Sequence, residues 1–254
     1  MIDIHCHILP SIDDGPDNID ESIEMAKIAE ADGIKKIVAT PHQLEGLYQP
    51  KPDYILAKIE ELNNLLKERG CNVEILPGSD AHISHDLISK IESNEVFTLN
   101  RKNHILLEFP NQFVSERIKE LLSSLVLKRI TPVISHPERN LMFQRTPNLL
   151  FEMIEIGALS QITAMSVIGE FGYDAKKSAK KFISHRMVHF VASDAHSSVG
   201  RTPEISICIK HLKKIISEDE VEEILFTNPE LVILGKSVYP RKAEKIRSFF
   251  GFFG

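Results

Sequence analysis

Short runs of apolar, largely β-branched residues recur along the chain, and longer stretches separate them in which apolar positions return every three or four residues. The short runs fall at 1–6, 36–40, 73–77, 104–109, 131–135, 160–163 and 188–192, and each predicts a strand. Between them Val114, Ile118, Leu121, Leu122 and Leu125 form one helical stripe. Ile205, Cys208, Ile209, Leu212, Ile215 and Ile216 form another. Helix starts are also marked: Thr202 before Pro203 reads as a cap with a first-turn proline, and Ser217 with Glu220 and Thr227 with Glu230 read as capping boxes. Seven strand–helix repeats without a break in composition predict an α/β fold. It is a single parallel (β/α) barrel over residues 1–240, one unit short of the usual eight.

The end of the chain differs. Residues 241–247 carry four basic side chains against one acidic, and four phenylalanines crowd 249–254. This 241–254 tail is expected outside the barrel. Two readings stand: it folds back on the chain's own helices, or it docks on a second protomer, a partner protein or an anionic membrane surface.

Composition narrows the classes. A 254-residue chain with formal charge −6 has no global attraction to nucleic acid or acidic membrane. Cys6, Cys71 and Cys208 are too few and scattered for a disulfide framework. The chain opens without a secretory signal pattern, and no apolar stretch approaches the roughly 18 residues that span a bilayer. A reducing cytoplasm is the expected setting.

The candidate chemistry sits at the end of each apolar run. His5 and His7 close the first strand, two residues apart and so on one side of an extended backbone. His42 comes after the second, Asp80 and His82 after the third, and Glu108 ends the fourth. His136 comes after the fifth, and Asp194 and His196 after the seventh. Asp13 and Asp14, after the first strand, can reach the same mouth. Singly, each has a plainer explanation: a core or surface histidine, a helix cap, an ion-pair partner, a turn. Their position argues otherwise, because all strand ends of a parallel barrel open on one face, where active sites of such folds lie. Imidazole and carboxylate suit Zn, Mn or Fe, and nine or more donors suit two or three ions. His85, His104, His185, His189 and His211 fall outside this pattern and read as structural or exposed. Cys6, between the two histidines, is expected to face the core.

Arg139, in the His136 loop, and Arg201, five residues after His196, bring guanidinium groups to the same loops. A planar permanent cation fits phosphate oxygens in pairs, against the plainer readings of an Arg139–Glu138 salt bridge and a surface Arg201. Phosphate monoester hydrolysis requires accelerations up to roughly 10²¹, and metal-lowered water acidity supplies more of that than a lone histidine base. A thiolate mechanism would need an arginine six residues after a cysteine. Those positions hold Ile12, Pro77 and Lys214.

Asp3-Ile4-His5-Cys6-His7-Ile8-Leu9-Pro10 with Asp13-Asp14-Gly15 resembles the opening of polymerase-and-histidinol-phosphatase (PHP) domain proteins. Ala39-Thr40-Pro41-His42, His136-Pro137-Glu138-Arg139-Asn140 and Ser193-Asp194-Ala195-His196 resemble their later motifs. The full-length pattern and the aromatic ending are similar to the bacterial manganese-dependent tyrosine-protein phosphatases of capsule and exopolysaccharide synthesis. The resemblance implies a PHP-type distorted seven-stranded TIM-like barrel holding three metals, Mn²⁺ first, with Fe, Zn or Mg as other candidates. It implies that His5, His7 and Asp194 hold one ion, Glu108 and His136 a second, and Asp14, His42 and His196 a third. A carboxylate from the third strand bridges the first two. Metal-bound hydroxide would attack phosphorus while Arg139 and Arg201 hold the phosphoryl oxygens, and the substrate would be phosphotyrosine on a bacterial tyrosine kinase. The chain departs from that branch at the bridge, where Asp80 stands for glutamate, and His82, facing the same way, is a candidate extra ligand. The 163–166 loop is also less polar than such a mouth would suggest. A small-molecule phosphatase such as one for histidinol phosphate would use the same metals. An amidohydrolase-like C–N hydrolase would usually want a bridging lysine where Glu108 stands. A non-catalytic binding module is the third alternative.

Overall fold

The computed structural model describes residues 1–110 and 116–247. Val114 of the first stripe and the aromatic stretch 249–254 lie outside them. The apolar runs become strands, and two of them break. The strands are β1 (Ile2–Cys6), β2 (Lys36–Ala39), β3 (His42–Gln43), β4 (Glu74–Pro77), β5 (Asp80–His82), β6 (His104–Glu108), β7 (Thr131–Ser135), β8 (Leu159–Thr163) and β9 (Phe190–Ala192). Every pairing between them is parallel. They form two sheets, β1-β2-β4 and β3-β5-β6-β7-β8-β9.

The second and third staves cross from one sheet to the other. Pro41, which has no N–H to donate, separates β2 from β3. Gly78 and Ser79 separate β4 from β5. A Cβ at Gly78 would lie 2.6 Å from Val38 Cγ1, so the close crossing requires glycine. The ring closes where the Asp194 amide donates to the His5 carbonyl at 2.8 Å and the His7 amide to the Ala195 carbonyl at 2.9 Å. Seven staves thus make a distorted α/β barrel, as the strand–helix pattern predicts.

Ile4, Val38, Leu76, Leu106, Val133, Phe190 and Ala192 fill its interior. Ile37, Ile75, Ile105, Ile134, Ile162 and Val191 face the helices. With both faces covered, the runs can be apolar almost throughout. The helix Glu116–Leu127 buries Ile118, Leu122 and Leu125 as its stripe predicts.

Two predicted helix starts are corrected. No helix begins at Thr202, whose hydroxyl turns to Glu204. The chain first coils at Ser206–Cys208, then at Ile209–Leu212, because the Asp32 carboxylate accepts from the Ile205 and Ser206 amides at 2.7 and 2.9 Å. Ser217 and Glu220 do form a capping box. Thr227 does not: it is helical (φ −66°, ψ −51°), and the helix passes through it into Asn228–Ile233. The wide turn Glu223–Thr227 precedes Pro229, whose ring would clash with the Leu225 carbonyl in a regular α-turn.

The described part of the tail lies on the outside of the barrel against the chain's own helices. Arg241 forks onto Glu223 and Ala243 is buried. The Ile246 backbone exchanges two hydrogen bonds with the Asn148 side chain, at 2.9 and 3.0 Å.

Candidate metal centre

All nine side chains expected as ligands converge at the C-terminal mouth of the barrel. Their donor atoms fall into overlapping clusters: His7, Asp14, His42 and His196; His5, His7 and Asp80; His5, His136 and Asp194; Asp80, Glu108 and His136. Within each, the ligand atoms lie within 4.8 Å of one another. His5 and His7 turn their Nε2 atoms to within 3.2 Å of each other. Both Arg139 and Arg201 reach the same place. They line a cavity of about 300 Å³ with Asp14, His42, Glu108, His136, Asp194 and His196.

Asp194 organises the centre. Its Oδ1 lies 3.2 Å from His5 Nε2, 3.6 Å from His7 Nε2 and 3.7 Å from His196 Nδ1. Its Oδ2 accepts from Arg139 and, at 2.8 Å, from Arg201. Burial pushes this carboxyl up, but Arg139, His5, His136 and Arg201 outweigh it and hold it well below the usual range. The residue sits at φ 52°, and His136 at φ 29°. A non-glycine residue in the left-handed region stores strain, here at two side chains aimed at the mouth.

The remaining electrostatics suit a cation. Burial and then Arg139 push His136 well below the ordinary histidine value. Burial and then His196 bring His7 down to about 4. Asp80 is low despite burial, because His5, His42 and His136 surround it, and His196 holds Asp14 low. Burial lowers His42, yet Asp80, Glu108 and Asp13 raise it to about 9, so a cation there would displace a proton. Both oxygens of buried Asp80, Glu108 Oε2 and His42 Nδ1 have no hydrogen-bond partner. Buried ionised oxygens without donors are costly, and a divalent cation would satisfy them. The donor set therefore fits a polynuclear His/carboxylate metal site.

Supporting residues were only partly foreseen. Asp13 reaches the mouth as an orienting group: Oδ2 accepts from His7 Nδ1 at 2.7 Å and from the His42 amide at 2.9 Å. Gln161 was missed; its Oε1 lies 2.9 Å from His5 Nδ1. Such outer partners fix a ligand's tautomer and direction. Its signal was a polar residue inside a buried strand. Asp3, also missed, accepts from the Ser193 amide and hydroxyl and so ties β1 to the Asp194 loop. Glu138 does not pair with Arg139. It is buried and accepts from the Thr163 amide and hydroxyl and from Ser166, which is why the 163–166 loop shows little polarity at the mouth. Phe171 lies under both guanidinium groups, 4.6 Å from Arg139 and 5.7 Å from Arg201, an arrangement with no sequence signal.

A parallel barrel with a His- and carboxylate-rich mouth defines the class: a hydrolase-type α/β barrel built for metal. The profile of a family described as capsular polysaccharide synthesis, CpsB/CapC, matches residues 1–234, and the chain belongs to that family. It is 37% identical over 255 residues to the tyrosine-protein phosphatase YwqE of Bacillus subtilis, covering 100% of both chains. It is 35% identical over 254 residues to the putative tyrosine-protein phosphatase CapC of Staphylococcus aureus, covering 99% of each. A solved chain from the work titled "Crystal structures of YwqE from Bacillus subtilis and CpsB from Streptococcus pneumoniae, unique metal-dependent tyrosine phosphatases" superposes with a TM-score of 0.93. It is 35% identical, and the match covers 98% of this chain and 100% of that one.

Proposed function

We propose that the chain is a metal-dependent protein-tyrosine phosphatase of capsule or exopolysaccharide synthesis, acting on phosphotyrosine of a bacterial tyrosine kinase. The observation that carries this reading is Asp194, whose one oxygen faces three imidazoles while the other holds two arginines. Cations for phosphoryl oxygens and donors for metal are therefore set side by side.

His5, His7, Asp14, His42, Asp80, Glu108, His136, Asp194 and His196 would hold three divalent ions, with Mn²⁺ the first candidate. When bound, such ions acidify water and offset the charge of the phosphoryl group. Arg139 and Arg201 orient that group, and the Phe171 ring keeps the two guanidinium planes in place. The open cavity of about 300 Å³ admits a side chain carried on a peptide. The C–N hydrolase reading is not favoured, since the fourth stave ends in Glu108 rather than a lysine. No helix among the described residues is long and apolar enough to cross a membrane. Three free, buried cysteines support a cytoplasmic setting.

The test is a panel of phosphotyrosine peptides and small phosphate esters, run on one preparation before and after chelation. Peptide hydrolysis lost on chelation and restored by Mn²⁺ is expected. Full activity after exhaustive chelation, or turnover confined to small esters, would overturn the proposal.

A further inference from the structure

Among the described residues a further cluster of donors joins His42, His82 and Glu108. His82 belongs to none of the ligand motifs. The strand register puts it there: β5 and β6 pair His82 with Glu108, and His82 lies two positions beyond Asp80 on the same side of the strand. Its Nε2 is 2.5 Å from Glu108 Oε2, yet that oxygen has no aligned hydrogen-bond donor. His42 Nδ1 stands 3.4 Å from the same oxygen, also unpartnered. Two ring nitrogens thus lie beside one carboxylate oxygen without forming a hydrogen bond to it. Two imidazoles and a carboxylate are a complete protein donor set for a transition-metal ion with an open position.

We propose that His82 is itself a metal ligand, holding through Nε2 the divalent cation that sits on Glu108. This rests on the metal-dependent reading above and extends it by a residue particular to this strand. The position opens on a second cavity. His82 is 25% exposed and lines a cavity of about 380 Å³ with Gln43, Leu44, Ser84 and Lys90. An ion at His82 therefore has a route to solvent through that cavity as well as through the mouth.

The test uses the full chain loaded with Mn²⁺ and titrated with chelator, with metal content measured at each step. It compares the natural sequence with His82→Asn and His82→Ala. The expected result is that one equivalent leaves both variants at chelator concentrations at least tenfold lower, while the rest of the release curve is unchanged. In Co²⁺-loaded protein the visible spectrum should change with the lost nitrogen ligand. Thermal unfolding of the stripped proteins separates ligand loss from damage to the fold: equal midpoints with altered release support the proposal. An identical release curve and cobalt spectrum in both variants would overturn it. Failure of the natural chain to retain any metal would instead sink the metal-dependent reading itself.

Discussion

Truncating Arg139 and Arg201 to alanine, singly and together, tests whether the phosphoryl group is held by both. The two guanidinium groups share Asp194 Oδ2 and rest on one phenylalanine ring, so they form a unit rather than two independent cations. A hydrogen bond to a charged group contributes about 1.5–3 kcal/mol. Losing one such bond in the transition state lowers kcat/KM by roughly 10- to 150-fold, at about 1.4 kcal/mol per tenfold. Side chains that share a partner usually couple by about 0.5–3 kcal/mol. The double variant should therefore fall short of the product of the two single losses by about tenfold.

The assay is kcat/KM for an aryl phosphate at saturating Mn²⁺, with inhibition by inorganic phosphate measured alongside. Phosphate affinity should weaken in step with kcat/KM if the arginines grip the phosphoryl oxygens. Arg139→Lys and Arg201→Lys should recover less than the full loss, since lysine keeps the charge but not the planar fork. Metal content is the control, because Asp194 Oδ1 remains in its cluster. Single variants within about threefold of the natural kcat/KM would refute a phosphoryl role. A fully multiplicative double variant would refute the shared-unit argument.

Asp80→Glu carries the carboxylate one methylene further into the cluster and should raise metal retention or turnover; a variant weaker in both would show that the surrounding site is adapted to aspartate. Burial depresses His189 from 6.5 to about 4, and its Nδ1 accepts from the Ser160 amide at 2.9 Å. The depressed value means that stability is full above pH 6.5 and is lost as the unfolded chain takes up a proton between pH 6.5 and about 4, by about 3 kcal/mol. Denaturant unfolding from pH 7 to 4.5 should therefore be less pH-dependent in His189→Gln, and an unchanged slope would count against the burial argument. Deleting residues 241–254 removes the two Ile246–Asn148 hydrogen bonds and the burial of Ala243 and Ile246, a loss of roughly 2–3 kcal/mol. The melting temperature should fall while turnover of small aryl phosphates by the folded fraction is retained; an unchanged melting temperature would show that these contacts contribute nothing.

The convergence of the candidate donors was legible because a parallel barrel sends every strand end to one face, so a polar residue just past an apolar run has its destination set by topology. What supports these donors was not legible in the same way. Asp13, Gln161 and Glu138 work through partners brought beside them by the fold: His7, His5, and the pair Thr163 and Ser166. Local signals failed where a distant side chain took over. The cap read at Thr202 is supplied from Asp32, across more than 170 residues. The breaks at Thr40–Pro41 and Gly78–Ser79 carried a proline and a glycine, but the sequence alone did not say that the second halves would join another sheet.

The first strand shows why alternation by itself is an incomplete guide. Ile4 belongs to the interior cluster and Cys6 to the outer one, although residues two apart in a regular strand share a face. The pairing of β1 with β2 shifts register between Asp3 and Cys6, and an irregularity of this kind re-aims the side chains beyond it. Ile4 can then close the apolar interior while His5 and His7, one and three positions later, both reach the mouth. Asp3 secures the shift from the other side of the seam, through Ser193 and the His5 amide. The histidines and Asp194 therefore meet where the barrel closes, and the contacts that close the ring also set the spacing between the donors.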